Sequence, residues 1–325
     1  MKNLLPNFSY SNYLSHFMRL LDSFRMTNTL IAVISISCFS CETLVNDVDP
    51  DLLPRSDSKL VVHGYLSPQD TVISIAVNLS TQLIGGSLNL SNNTTVSLSD
   101  ATVTLSNQGK SISLPFDSKS GTYRIKATAL PITEGKTYEL KVVRNGETAE
   151  SSCTVPKVVA IQSIRKDSVE ARASSSLKDY LYHIVWKDPE GQVNYYRVGG
   201  YIFQTQRVQT GPTTFENMPN IQPLNFRENN RSGEFITDER TDGLLLVSIA
   251  GRAYTYYSQG PSPFTNQYIE LMLLSCEKTY YDYHLAVRNF DGNNPFAEPS
   301  LIPSNIKNGL GCFAAYNRST FVLKN

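Results

Sequence analysis

The most constraining feature of this sequence is a repeated alternation of apolar and polar residues with a period of two. The segment 71–80 places apolar side chains at every second position, and the segments 102–106, 122–126 and 137–141 repeat the pattern. Successive side chains of a β-strand point to opposite faces of its sheet, so the alternation is typical of half-buried antiparallel strands. The sequence therefore predicts a mainly β protein.

Turn signals separate these segments at short and regular intervals. They are Asn107-Gln108-Gly109, Ser120-Gly121, Glu134-Gly135 and Asn145-Gly146. Asn, Asp and Gly tolerate the left-handed backbone of tight hairpin turns, and about seven short strands at such spacing indicate a sandwich. We predict an immunoglobulin-like or transthyretin-like β-sandwich over residues 58–156.

The second half, residues 157–325, predicts a further β-rich domain that contains one helix. Segments rich in Tyr, Val and Ile predict strands at 158–164, 180–187, 194–208, 244–257, 267–275 and 311–323. The segment 210–232 holds Pro212, Pro219 and Pro223, and it predicts a long irregular loop. Mobility and ligand binding are equal interpretations of that loop.

The helix is predicted at about residues 276–290. Apolar residues recur there at spacings of four, three, four and three, which makes one apolar face: Cys276, Tyr280, Tyr283, Val287 and Phe290. Ser275 is the expected N-cap. Packing on the sheet of its own domain is favoured over docking to a partner.

The N-terminus predicts a lipoprotein signal peptide over residues 1–40. The apolar run 30–36 and its extension are shorter than the roughly 20 residues that span a bilayer, and basic residues precede it, as in a signal peptide. Ser40 before Cys41 resembles the processing site of a bacterial lipoprotein, so Cys41 is the expected lipidation site. Cys38 is the runner-up, and Met18 is a candidate for the true start. An ordinary secretory signal and a weak transmembrane anchor are the alternatives.

The charge balance and the residues after Cys41 bear on the partners of the chain. The 325 residues carry 29 Lys and Arg against 29 Asp and Glu, so no basic excess points to nucleic acid. Residues 41–57 are acidic and contain few apolar groups, which predicts a solvated tether. The predicted membrane contact is therefore the N-terminal lipid.

Residues with catalytic potential form no recognisable motif. The sequence has no GxSxG, HExxH, Walker or GxGxxG pattern. His63, His183 and His284 lie far apart in the chain, and we interpret them as packed or surface imidazoles. The acidic cluster before Gly243 could serve acid–base chemistry on a glycoside, but turns commonly hold such residues: Asp238, Glu239 and Asp242. No catalytic residue, cofactor site or metal site is predicted.

Three cysteines follow Cys41, so at least one thiol is free. A disulfide between Cys276 and Cys312 and two separate buried thiols are equal alternatives, and Cys153 is expected in a core.

Tyrosines cluster at Tyr195-Tyr196, Tyr254, Tyr256-Tyr257 and Tyr280-Tyr281. Such rings can stack on sugars, but packing within and on the sheets is the favoured interpretation.

An ordered set of short segments suggests a family. They are Ser40-Cys41-Glu42 with its acidic tether, the segments 60–66, 100–105 and 135–138, Asp188-Pro189, Asn194-Tyr195-Tyr196, and the segments 294–299 and 304–311. From Cys41 onward the chain resembles the Bacteroidota lipoprotein family called domain of unknown function 4249. The resemblance implies an outer-membrane lipoprotein, often encoded beside TonB-dependent transporters, and it implies no enzyme activity and no functional residues.

These features lead to one expected function and two alternatives. We expect a non-enzymatic outer-membrane lipoprotein, exposed at the cell surface, that serves as an accessory or binding subunit of a TonB-dependent transporter. The first alternative is a free-standing glycan- or peptide-binding surface lipoprotein. The second, an unrecognised hydrolase, is disfavoured because its motifs are missing.

Overall fold

A computed structural model describes residues 58–80, 97–171, 174–228, 231–252, 264–290 and 302–324, which belong to one compact unit. Several predictions lie outside these residues: the signal peptide, the start at Met18, the lipidation sites Cys41 and Cys38, the tether over 41–57, Tyr254 and Tyr256-Tyr257. Within the described ranges, no helix is long and apolar enough to cross a membrane.

The predicted mainly β fold with one helix is confirmed for the part of the chain that the structure describes. The strands are β1 Leu60–Leu66, β2 Val72–Leu79, β3 Thr102–Asn107, β4 Lys110–Leu114, β5 Phe116–Asp117, β6 Thr122–Lys126, β7 Thr137–Arg144, β8 Glu147–Thr154, β9 Ile161–Ala171, β10 Ser174–Lys187, β11 Tyr195–Gln209, β12 Phe215–Pro223, β13 Asn225–Glu228, β14 Arg231–Ser232, β15 Phe235–Thr237, β16 Leu245–Val247, β17 Gly251–Arg252, β18 Phe264–Cys276 and β19 Leu310–Lys324. The helix, α1, is Lys278–Asn289.

A nine-stranded sheet runs through the molecule in the order β12-β11-β18-β19-β1-β2-β6-β5, with β15 also paired to β11. β19 pairs with β1 in parallel and with β18 in antiparallel orientation. Strands from both predicted domains therefore share one sheet. Periodicity alone could not reveal this pairing between segments so far apart in the chain. The division into two domains at residues 156 and 157 stays a prediction.

Two smaller sheets pack on one face of the nine-stranded sheet. The sheet β4-β3-β7-β8 covers β1 and β2 and encloses a core that includes Val62, Val103 and Phe313. The sheet built around β10 covers β11 and β18 and encloses Trp186, Tyr196 and other apolar residues. Phe313 and Leu323 of β19 share the parity of their positions, so one face of β19 contributes to both cores.

Helix α1 packs on the opposite face of the nine-stranded sheet. Tyr280 and Tyr281 are its buried residues, and they lie against Cys312 and Ala314 of β19. The helix thus covers its own sheet, as favoured from the sequence.

The predicted ends and apolar face of α1 need correction. Cys276 and Ser275 belong to β18, and Glu277 precedes the helix without a capping hydrogen bond from its side chain. Ser275 instead accepts a hydrogen bond from the Val159 N–H at 3.1 Å, so it is engaged in the sheet. Val287 and Phe290 are exposed, whereas the buried residues of the helix, Tyr280 and Tyr281, lie in its first turn.

The prediction of an irregular loop over residues 210–232 is wrong. Most of the segment forms β12, β13 and β14, and β12 pairs with β11 along its whole length. Pro219 and Pro223 favoured a loop because proline disfavours a central strand, but proline is tolerated in an edge strand. β12 is such an edge strand.

We predict that Gly311→Ala lowers the free energy of unfolding by about 3 kcal/mol or more. Gly311 has a φ of +108°, and a Cβ atom there would overlap the carbonyl oxygen of Val62 in β1. The matched control is Gly109→Ala, because Gly109 also has a positive φ but no atom lies within 4 Å of its Cβ position. The control should lose only about 1 kcal/mol. Equal losses in urea unfolding would contradict the tight pairing of β19 with β1.

Candidate functional site

A groove of about 550 Å³ opens where two strands share the outer edge of β11. β15 pairs with β11 over Tyr195–Arg197, and β12 pairs with it from Tyr201 onward. In the gap between them, the Val198 N–H donates to the Glu234 carbonyl, and the Leu224 N–H donates to the Gly200 carbonyl, both at 2.8 Å. A groove of this size falls in the range of ligand pockets.

Four arginines line this groove, which we call the arginine groove: Arg197, Arg227, Arg288 and Arg318. Its floor is the helix-bearing face of the nine-stranded sheet, where Arg197, Leu274 and Arg318 form one row across β11, β18 and β19. Two strand spacings place the ends of that row about 10 Å apart.

Glu234 holds two of the arginines in place. Its carboxylate lies 3.2 Å from Arg197 and 2.9 Å from Arg288, and its side chain is only 16% exposed. Arg197 also donates to the Tyr280 hydroxyl at 3.0 Å. Burial lowers the pKa of Arg197, but Tyr280 and Glu234 outweigh it and the net pKa is raised. Arg197 is therefore charged at any physiological pH.

The other two arginines have more freedom to meet a ligand. Arg318 has one ion pair within the described part of the chain, a long one with Asp70 at 3.9 Å. Arg227 is exposed and has no ion pair among the described residues. Glu234 is the one acidic residue among the described residues of the lining. The groove therefore carries an excess of positive charge, which attracts anions.

The predicted acidic cluster takes a different form in the structure. Asp238 and Asp242 meet Asp188, not Glu239, and carboxylate oxygens of the three lie within 4.8 Å of one another. Asp188 and Asp238 are buried, at 1% and 0% exposure. Three clustered carboxylates are a donor set that hard cations prefer.

The two buried carboxylates of this cluster accept hydrogen bonds from neighbouring groups of the protein. Asp188 accepts from the Tyr196 hydroxyl and from the Gly243 N–H at 2.8 Å. Asp238 accepts from the backbone N–H of Asn194 at 2.7 Å and from its side-chain amide at 3.1 Å. Buried carboxylates satisfied in this way fasten the connections that flank β11 and β16.

The three predicted imidazoles lie in packed surroundings. His63 Nε2 lies 2.7 Å from the Tyr283 hydroxyl, and His183 Nδ1 lies 2.9 Å from the Ser248 carbonyl oxygen. His284 lies against the Tyr280 ring, with centroids 4.3 Å apart. Burial, with the nearby charges of Arg197 and His63, lowers the pKa of His284 to about 4.

Most of the predicted tyrosines that the structure describes serve packing. Tyr196 is fully buried against Trp186, and Tyr195 lies 5.1 Å from Tyr281 between ring centroids. Tyr280 is the exception, since it packs under α1 and also lines the arginine groove.

The structure records Cys153, Cys276 and Cys312 as free and buried thiols. It therefore describes the alternative of separate thiols and contains no bridge between Cys276 and Cys312. Burial raises the pKa of all three, to about 12 for Cys312.

Comparison with known proteins identifies the family. The family model described as Domain of unknown function (DUF4249) matches residues 45–321, so the chain belongs to that family. No curated protein matches the chain.

The arginine groove could not be predicted from the sequence. The alternation in β11 predicts that Arg197, Gly199 and Tyr201 share a face, but Arg227, Arg288 and Arg318 come from separate elements. Nothing in their spacing along the chain indicates that they converge.

We predict that Asp188→Asn lowers the free energy of unfolding by about 1–3 kcal/mol. This loss relative to the wild type should become smaller as pH rises. Burial and then the neighbouring Asp238 raise the pKa of Asp188 above 3.8 despite its hydrogen bonds. The folded state holds this proton more tightly than the unfolded chain does. The contribution of Asp188 to the free energy of unfolding is therefore fully present below pH 3.8, and it is lost as pH rises through the folded-state pKa. Urea unfolding of both proteins across this range measures the difference.

Asp100 provides a contrast, because its pKa is shifted in the opposite direction to that of Asp188. A hydrogen bond from Arg144 lowers the pKa of Asp100, so its contribution is present above pH 3.8 and is lost as pH falls. The loss of unfolding free energy in Asp100→Asn, relative to the wild type, should become larger as pH rises. The same trend in Asp188→Asn would contradict the role of burial at Asp188.

We also predict that the three thiols resist iodoacetamide in the native protein and react after unfolding. Their raised pKa values keep them protonated, and thiols react as thiolates. The intact mass should be the same with and without reductant. A gain of two hydrogens on reduction would establish the disulfide instead.

Proposed function

We propose that this protein is a non-enzymatic, lipid-tethered binding subunit of the outer membrane. The arginine groove carries the proposal, because it is an open, positively charged recess on the face of a continuous sheet. A binding site on rigid strands holds its side chains in position before the ligand arrives, which favours affinity.

The arrangement of the acidic residues also favours binding over catalysis. Glycoside hydrolysis needs two carboxyl groups that flank a bound sugar. Asp188 and Asp238 are buried and hydrogen-bonded to the protein, and Glu234 is paired with Arg197 and Arg288. The proposal therefore assigns the chain no enzymatic activity.

The anchor in this proposal is a lipid on Cys41. Several acyl chains together hold a protein stably at a membrane, since each buried methylene contributes about 0.8 kcal/mol. The tether over residues 41–57 would carry the β-sheet unit away from the bilayer. The resemblance to Bacteroidota lipoproteins adds a partner, the β-barrel of a TonB-dependent transporter, and a position at the cell surface.

The second candidate is a free-standing surface lipoprotein that binds a glycan or peptide. The arginine groove supports this alternative because its volume of about 550 Å³ falls in the range of ligand pockets. Detergent pulldown of the full-length protein separates the two candidates. A copurifying β-barrel supports the transporter subunit, whereas ligand binding without a barrel supports the free-standing protein.

We predict that Cys41→Ala abolishes incorporation of radiolabelled palmitate and leaves an unprocessed precursor, because the acylated thiol is removed. Cys38→Ala is the matched control and should label like the wild type. Globomycin should block processing of the wild-type precursor. Labelling that persists in Cys41→Ala but disappears in Cys38→Ala would move the anchor to Cys38, and absence of any label would refute the tether.

A further inference from the structure

We infer that the arginine groove binds an acidic sugar, with the sugar carboxylate paired to Arg227 and Arg318. The inference rests on the proposed binding function and specifies its ligand. Among the four arginines, these two have the weakest ties to protein carboxylates, since Arg227 has no ion pair in the described residues and Arg318 is 3.9 Å from Asp70.

Arginine suits a carboxylate better than any other side chain does. The planar guanidinium offers two parallel N–H donors that match the two oxygens of a carboxylate, and such charge-assisted bonds are roughly twice as strong as neutral ones. Arg197 and Arg288 are already held by Glu234. They supply positive potential and a fixed wall, while Arg227 and Arg318 are available for direct pairing.

The rest of the lining favours a hydroxylated ring over an apolar peptide. Leu224 and Phe226 are 7% and 2% exposed, so they fill the core and offer no apolar pocket. Tyr201 is 39% exposed at the groove and presents an aromatic face on which a sugar ring can stack. A ligand therefore meets cations, backbone, the rings of Tyr201 and Tyr316, and the partly buried side chains of Met272 and Leu274.

Gly199 keeps the floor of the groove open. Of the atoms that the structure describes, only Met272 Cε, at 3.5 Å, lies within 4 Å of the position that a Cβ would take at Gly199. Gly199 lies in β11 without a positive φ, so a larger side chain is compatible with the backbone. Gly199→Leu would fill the groove and leave all four arginines in place.

The test is isothermal titration calorimetry of the full-length protein in detergent with trigalacturonate. We expect saturable binding that weakens with added salt, as for any partly solvated ion pair. The neutral trimethyl ester of the same sugar should bind at least about tenfold more weakly, because it lacks the carboxylates.

Variants then assign the binding to the groove. Arg227→Gln and Gly199→Leu should each weaken trigalacturonate binding by about tenfold or more. Arg124→Gln is the matched control, because Arg124 is partly exposed and has one carboxylate partner, Asp117 at 3.5 Å, but lies on β6 outside the groove. It should bind like the wild type. Circular dichroism checks that each variant is folded.

Three results would overturn the inference: no binding of trigalacturonate by the folded protein, equal binding of the ester, or unchanged binding by Arg227→Gln. Tighter binding of triglutamate than of trigalacturonate would overturn the sugar assignment and point to an acidic peptide. If palmitate labelling and copurification of a barrel persist in any of these cases, only this inference fails. If sugar binding holds but labelling is absent, the lipid-tethered function fails alone.

Discussion

β19 occupies the centre of the nine-stranded sheet, and the rest of the fold depends on its two pairings. It pairs in parallel with β1, near the start of the described chain, and in antiparallel orientation with β18. These hydrogen bonds join strands from both halves of the sequence. The two smaller sheets need this shared surface to bury their apolar faces, because a sheet with one apolar face must pack against another layer.

The two faces of β19 have different tasks. Phe313 and Ala315 point into the first core, whereas Cys312, Ala314 and Tyr316 face helix α1. Further along the same strand, Arg318 reaches the arginine groove. One strand thus supplies core, helix contact and candidate site, because its side chains alternate between faces.

The two clusters of charged residues illustrate different outcomes of burial. Asp188 and Asp238 are buried and accept hydrogen bonds from backbone, amide and phenol groups, so their oxygens are used by the fold. In the arginine groove, the Glu234 carboxylate is shared by two guanidinium groups, Arg318 has a long ion pair with Asp70, and Arg227 is exposed. An excess of positive charge at an open recess distinguishes this candidate binding site from a structural network.

The sequence by itself determined the mainly β class, most strand positions and the helix near residue 280, because these follow from local side-chain alternation and periodicity. It grouped Asp238, Glu239 and Asp242 as an acidic cluster but did not include Asp188, which lies about fifty residues earlier in the chain. Only the tertiary structure decided that β12 is a strand, that β19 joins both halves, and that four arginines converge. Those features depend on pairing between segments that are distant in the chain, and local sequence patterns do not specify which strands are neighbours in a sheet.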